Sequence, residues 1–500
     1  MKVFCRHAPA VQHQGQLSRK ATDPYEVGLA ALYERNYVKA SAQLTDSLRG
    51  REEKLAADQK KDQEAVADAA FFLGSSLYGQ GKPNEAATAF RRCLQIQPDD
   101  VVVLNNLALN LADAGDYTGA EPLFFLALTN AVKILGSAHP FVAIVVTNLA
   151  GLYEDKGDYE MAEPLYRRLL AMDEAALGPN HTEVARDLDN LARLLKEKGD
   201  NLGAEPLYRQ SLAINEKALG PDHPDVAISL NHLALSLMRK GDYAGADPLF
   251  RRALAIDEKA LGPDNPSAVV ILNNLAKTLE AKGDYTGAEQ LYRRALAIGE
   301  KGLGLDHADL AQVLNNLASL LQARKDYAGA EPLFRRALAI DEKVYGPDHP
   351  DTAMALNNLA GLLKDKGDYA GAEPIFRRAL AIDERKLGPN HADVALVLYN
   401  LADMLSTMKD YAGAEPLYRR LLAIDEAALG PNHPAVAVDL DNLAFSLEKT
   451  NGDYEGAEPL YRRALAIDEK ALGPQHPSTQ RIRTDLQAVI DKESAKTTEK

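Results

Sequence analysis

From Val101 onward, apolar residues fall at helical spacing, and the pattern itself returns every 42 residues. In the stretch beginning at Ala227, the residues Leu230, Leu233, Ala234 and Leu237 recur three or four apart and mark one buried stripe on a helix. Lys240-Gly241-Asp242 interrupts it, with Gly closing the first helix and Asp capping the next. The second helix carries Tyr243, Ala246, Phe250, Ala253, Leu254 and Leu261 on its inner side. It stops at Gly262-Pro263, and Asp264-Asn265-Pro266 turns the chain into the following unit. One helix pair cannot cover two such stripes, so the pattern predicts pairs stacked on pairs.

The register is kept by a recurring Asp-Tyr: Asp116-Tyr117, Asp158-Tyr159, Asp242-Tyr243, Asp284-Tyr285, Asp326-Tyr327, Asp368-Tyr369 and Asp410-Tyr411. Asp200-Asn201 fills the one gap, and Asp453-Tyr454 arrives a residue late after an insertion near Thr450-Asn451. A fixed period of this size is the mark of a solenoid. Most second helices also hold a proline just past the first turn (Pro122, Pro164, Pro206, Pro248, Pro332, Pro374, Pro416, Pro459). Each gives up about one backbone hydrogen bond, and a mild kink or loose first turn is expected.

Composition changes this picture little. The 46% hydrophobic content suits a chain that forms a core, and the absence of Trp favours helices packed through small side chains. Lys and Arg number 57 against 72 Asp and Glu, a net charge of −15 that makes nucleic acid an unexpected partner. Cys5 and Cys93 offer no disulfide framework, which points to a reducing compartment. There is no run of about 18 apolar residues, so no membrane insertion is expected. Residues Met1 to Lys20 lack the apolar stretch of a signal peptide, and a cytoplasmic location is expected.

Residues Ala67 to Asp100, with Leu73-Gly74, Leu77, Ala86, Phe90 and Pro98, resemble a tetratricopeptide repeat of the common 34-residue length. The longer units resemble those of kinesin light chain and its bacterial relatives. The matching phrases are Asn231-His232-Leu233-Ala234, Gly241-Asp242-Tyr243, Asp247-Pro248-Leu249-Phe250-Arg251-Arg252 and Gly220-Pro221-Asp222-His223-Pro224. The resemblance implies an all-α fold, an α-α superhelix of about eleven helix-turn-helix units. The expected organisation is an irregular segment 1–20, a divergent unit 21–66 with Gly28, Tyr37, Ala40 and Leu44 in place, and the short repeat 67–100. Nine long units (101–479), a capping helix (480–492) and a tail (493–500) follow. In the cap, Arg483 and Gln487 stand where Leu and Ala are usual, while Leu486 and Ile490 stay apolar. Coiled-coil heptads are missing, so a motor-adaptor role does not carry over, and no catalytic domain is expected downstream.

Residues able to do chemistry do not converge. Eight of the eleven histidines (His139, His181, His223, His307, His349, His391, His433, His476) occupy the turn between units, one per unit. A metal or catalytic site needs ligands gathered within a few Å, so these read as turn and N-cap residues. Gly74 to Lys82 lacks the Gly-Lys-Ser/Thr core of a phosphate loop. The pairs Arg167-Arg168, Arg251-Arg252 and Arg335-Arg336 suggest anion binding, but Glu163–Arg167 and Glu331–Arg335 are i, i+4 pairs in the favoured order, the pattern of a self-compensated surface. No catalytic residue, metal site or cofactor is expected.

One column stands apart: Asn106, Asn148, Asn190, His232, Asn274, Asn316, Asn358, Asn400 and Asn442, often preceded by a second asparagine at Asn105, Asn231, Asn273, Asn315 and Asn357. Asn is a mediocre helix former, so its repetition inside a helix implies work for the amide. Either the amides bridge neighbouring units, or they form a ladder that satisfies the backbone of an extended peptide, and both roles are compatible. The family resemblance implies the second, because its first helices line the concave groove. Three residues beyond the column the identity varies: Leu109, Gly151, Arg193, Leu235, Lys277, Ser319, Gly361, Asp403 and Phe445. Arg186, Arg193 and Lys196 share a face, with Lys277 two units on; Tyr399, Asp403, Asp439, Asp441 and Phe445 make the later wall acidic and aromatic. Such a gradient fixes the direction of a bound segment.

The expected function is a scaffold for proteins or peptides, acidic segments among them, held in the groove of the repeats. A structural or self-assembling solenoid without a peptide ligand is the alternative.

Overall fold

Each stripe becomes the inner side of a helix, and each Gly-Asp a turn. A computed structural model describes residues 37–55 and 61–498, among which there are 22 α-helices and no strand. Cys5, Gly28 and, of the expected unit 21–66, residues 21–36 and 56–60 lie outside the described residues. The chain divides into two compact units, with the boundary in the sequence between Asp242 and Tyr243.

The N-terminal unit contains helices Tyr37–Leu55, Lys61–Gly79, Pro83–Ile96, Val101–Asp113, Tyr117–Leu135, Pro140–Asp155, Tyr159–Leu177, Thr182–Glu197, Asn201–Leu219 and Pro224–Arg239. The C-terminal unit contains Tyr243–Leu261, Ala268–Ala281, Tyr285–Gly302, Ala308–Ala323, Tyr327–Val344, Pro350–Asp365, Tyr369–Leu387, Ala392–Thr407, Tyr411–Leu429, Pro434–Asn451, Tyr454–Ala471 and Pro477–Thr498. Within each unit every helix packs on the one before and the one after it in the chain, and hardly on any other. Cohesion is therefore a sum of nearest-neighbour interfaces, as in other solenoids.

The core is built the same way in each repeat. In helix Ala308–Ala323, Leu310, Leu314, Leu317 and Leu321 are buried; its partner Tyr327–Val344 buries Ala330, Phe334, Ala337 and Ile340. One ring per second helix (Phe124, Tyr166, Tyr208, Phe250, Tyr292, Phe334, Phe376, Tyr418, Tyr461) fills the space between the pairs. Truncating such a ring to Ala costs about 3–5 kcal/mol. Leu261, expected in the core, is 49% exposed at the end of its helix. The cause is position: it is the last residue of its helix, beside the Gly262 turn.

The caps explain residues that hydrophobicity does not. Asp116, Asp200, Asp284, Asp326, Asp368, Asp410 and Asp453 each accept a hydrogen bond from the backbone N–H of the glycine three residues on. A Cβ on Gly119 would lie 2.4 Å from Oδ2 of Asp116, so glycine there is what lets the carboxylate close over the helix end. Asp158 has Met161 at that place and makes no side-chain cap bond. The helices run unbroken through all eight expected prolines.

The turn histidines are N-caps. Nδ1 of His139, His181, His223, His307, His349, His391 and His433 accepts from the backbone N–H two residues on, at 3.1–3.3 Å. His476 does the same toward Ser478. Ion pairs tie the outer surface: Arg293 bonds Glu289 within its own helix, while Arg294 reaches Glu258 of the previous repeat at 2.5 Å. Being exposed, such pairs contribute about 0.2–1 kcal/mol each. In the last helix Ile482, Leu486 and Val489 are buried against Tyr454–Ala471, and Gln487 faces solvent.

Candidate functional site

The first helix of each pair presents one face that its own pair does not cover, and the asparagine column lies at the edge of that face. The amides do not behave alike. Asn148 donates from Nδ2 to Oδ1 of Asn105 at 2.9 Å, Asn316 to Asn273 at 2.8 Å, and Asn400 to Asn357 at 3.0 Å. His232 makes the equivalent contact to Asp189 at 3.0 Å. Each bond joins adjacent repeats over 43 residues: the column residue of one repeat meets the residue just before the column in the repeat upstream. Where that upstream place holds Thr147 or Tyr399, the bond to Asn190 or Asn442 is not formed among the described residues.

Burial separates the remainder. Asn105, Asn106, Asn273, Asn274 and Asn357 are buried, and Asn105 donates to Asn106 at 3.4 Å. Asn148, Asn190, Asn231, Asn315, Asn316, Asn358, Asn400 and Asn442 are half-buried. Oδ1 of Asn315 finds no hydrogen-bond partner among the described residues, since Asn358 does not repeat the bond made by Asn316.

The charged candidates are mostly held by their own chain. Arg193 is doubly bonded to Glu154 of the preceding repeat, and Arg186 pairs with Glu183. Asp403 accepts from Lys364 at 2.6 Å, Asp441 from Arg481 at 2.6 Å. Lys277 is exposed. Tyr399 and Phe445 are 36% and 37% exposed, Phe445 edge-on to Tyr411 and under the ammonium of Lys449. Arg186, Arg193 and Lys277 therefore present a weaker positive field than their count suggests.

A second column was not anticipated. Val270, Met354, Leu396 and Val438 of the C-terminal unit occupy the same place in their first helices, four residues before the asparagine column, and are 42–52% exposed; Gln312 fills that place in the repeat between Val270 and Met354, and Ile228 fills it in the N-terminal unit. Their 42-residue spacing was visible, but an apolar residue near a helix start reads as core until burial is known. Beside Leu396 and Val438, the C-terminal unit forms a niche of about 380 Å³ floored by Leu421, Ile424, Asp425 and Asp439. The N-terminal unit has the matching niche of about 280 Å³, with Ile144, Arg186, Leu169, Met172 and Asp173 in the corresponding places. Among the described residues no three His, Cys, Asp or Glu side chains are grouped to hold a metal ion, and no helix is long and apolar enough to cross a membrane.

Stacked helix hairpins that repeat one partly exposed face define an interaction scaffold. Models described as tetratricopeptide repeat match residues 100–175, 141–217, 188–237, 225–301, 309–385, 352–427 and 393–470, and a further one matches 67–100. The chain belongs to the tetratricopeptide repeat family, whose members serve protein–protein interaction and are typically non-enzymatic. Among solved structures it is similar to a Podosopora anserina protein assigned as a kinesin light chain with nearly identical TPR-like repeats (27% identity, 41% of this chain and 96% of that one, TM-score 0.37). It is also similar to BtubC (BKLC) from P. vanneervenii, at 28% identity over 46% of this chain and 91% of that one, with a TM-score of 0.39. No curated protein gives a match.

Proposed function

We propose that the chain gathers partner proteins by binding extended segments along the concave groove lined by its first helices. The observation that carries this reading is the set of exposed apolar residues Val270, Met354, Leu396 and Val438 at one place in the first helices of the C-terminal unit. Apolar side chains repeated on one exposed face are a docking surface more often than an accident of composition. The half-buried asparagines beside them supply donors and acceptors for a segment's backbone, and Lys277 steers acidic segments. The test compares wild type with Met354→Glu/Leu396→Glu, both checked for native helicity, in capture from native lysate. A scaffold loses most of its partners in the double variant. An unchanged partner set, together with concentration-dependent sedimentation that the variant abolishes, would establish self-assembly instead.

A further inference from the structure

The repeats answer one polar position of the second helix in different ways, and not every answer is complete. Asn215 donates to Oγ of Ser229 at 3.0 Å. Asp257 accepts from Ser267, and Asp468 from Ser478, each at 2.7 Å. Asp425 has Ala435 where Ser267 and Ser478 stand, and at the place of Ser229, fourteen residues on, it faces a second acid, Asp439. Asp439 is 3% exposed, and its Oδ2 has no hydrogen-bond partner among the described residues. Two acceptors thus meet without a fixed donor, on the floor of a niche otherwise walled by Leu396, Leu421, Ile424, Leu429 and Val438.

A buried carboxyl without a donor is costly unless a proton or a cation answers it. The apolar walls suit the methylene stem of a long basic side chain, whose charged head would then reach the two acids. We propose that this niche is a specificity site for an arginine or lysine side chain of a bound segment, its cationic head held between Asp425 and Asp439. This rests on the scaffold reading and adds a sequence preference to it.

The surroundings support a cation here more than elsewhere. In the matching niche of the N-terminal unit, Asp173 and Asp187 repeat the acid pair, but Arg186 stands at the mouth where Val438 stands here. Arg186 is paired with Glu183 and pulls on Asp187 only weakly, but it occupies the mouth through which a ligand's cation would enter. Around Asp439 the facing groups are Asp425 and Glu426 of helix Tyr411–Leu429, with Tyr418 of the same helix and Tyr399 of helix Ala392–Thr407. Glu426 is held by Arg463. Burial first, and the Asp425 carboxyl second, push Asp439 up to about 7, so near neutrality the pair retains a proton. A bound cation expels it.

The experiment titrates the full chain with a blocked Leu-Arg-Leu tripeptide and with the same peptide carrying citrulline, which keeps the shape and lacks the charge. The arginine peptide should bind at least about tenfold more tightly, as a buried charge-assisted pair requires. Its affinity should rise about tenfold between about pH 6 and about pH 8, with a proton released to the buffer. Asp439→Asn should remove both the preference and the pH dependence. Val438→Arg, which puts a cation at the mouth as Arg186 does in the matching niche, should narrow the gap between the two peptides. Equal binding of the two peptides, or an affinity in wild type that ignores pH, would overturn the proposal. Partner capture that still depends on Met354 and Leu396 would then show that the scaffold reading survives without it.

Discussion

Asn316 donates its side-chain amide to Oδ1 of Asn273, one repeat upstream, at 2.8 Å. Asn273 is 3% exposed, so removing the donor leaves a buried acceptor. Helix propensity alone favours alanine at this position by under about 1 kcal/mol. The stranded acceptor reverses that sign, and Asn316→Ala should destabilise by about 1–3 kcal/mol. Asn358 makes no such bond to Asn315, and Asn358→Ala should be close to neutral. Urea unfolding of the two variants checks the contrast. Equal losses would mean that the column holds the repeats together by packing, not by this bond.

His223 tests the capping reading. Its Nδ1 accepts from the backbone N–H of Asp225 at 3.2 Å, a bond that an Asn side chain also makes. His223→Asn should therefore be nearly silent, whereas His223→Ala should cost about 0.5–2 kcal/mol. Thermal denaturation of both variants, with zinc absent and present, decides it. A zinc-dependent stabilisation lost in His223→Asn would reveal a metal site instead.

Much of the fold was legible because each helix pair obeys local rules that repeat. Stripe, Gly, Asp cap and His-Pro turn are read from a handful of neighbouring residues, and Leu230 or Phe334 is buried as its spacing requires. The candidate site was legible only as a column. Its bonds run between Asn148 and Asn105, or Asn316 and Asn273, at a spacing of one repeat plus one residue. A column aligned at 42 residues cannot display that offset. Exposure was equally hidden, since Met354 and Leu356 differ in side-chain chemistry far less than in burial, at 52% and 2%. The pairing of Arg193 with Glu154 depends on how adjacent repeats stack, which neither residue encodes alone.

Lys325 and Lys409 occupy the turn where the other long repeats place glycine, and both adopt positive φ, 64° and 66°. A side chain in that region costs about 1–2 kcal/mol relative to the right-handed one, a penalty glycine escapes. Lys325→Gly and Lys409→Gly should each stabilise, by roughly 0.5–1 kcal/mol once the greater freedom of glycine in the unfolded chain is counted. A rise in melting temperature for each, adding in the double variant because the sites share no partner, is the expected result. A fall would mean that the lysine side chains contribute contacts that outweigh the strain.

The strongest pH dependence should come from Asp187. It is 1% exposed, and neither carboxyl oxygen finds a hydrogen-bond partner among the described residues. Burial first, then the facing Asp173 and, more weakly, Glu183 raise its pKa to about 8, against a small opposing pull from Arg186. In the unfolded chain the same carboxyl titrates at about 3.9. Between those values the native state binds a proton that the unfolded state does not, so stability falls as pH rises. The contribution is fully present below the unfolded value and is lost as pH climbs through about 8. Asp187→Asn keeps the shape without the charge, so it should flatten that decline and stabilise the chain at about pH 8 by roughly 1–3 kcal/mol. Near about pH 4, where the native carboxyl is protonated and the unfolded one about half so, it should change little. Urea midpoints at the two pH values for wild type and variant measure this directly. A variant that loses stability at the higher pH would show that the Asp187 carboxylate is held by a partner, and that the acid pair with Asp173 is a source of cohesion.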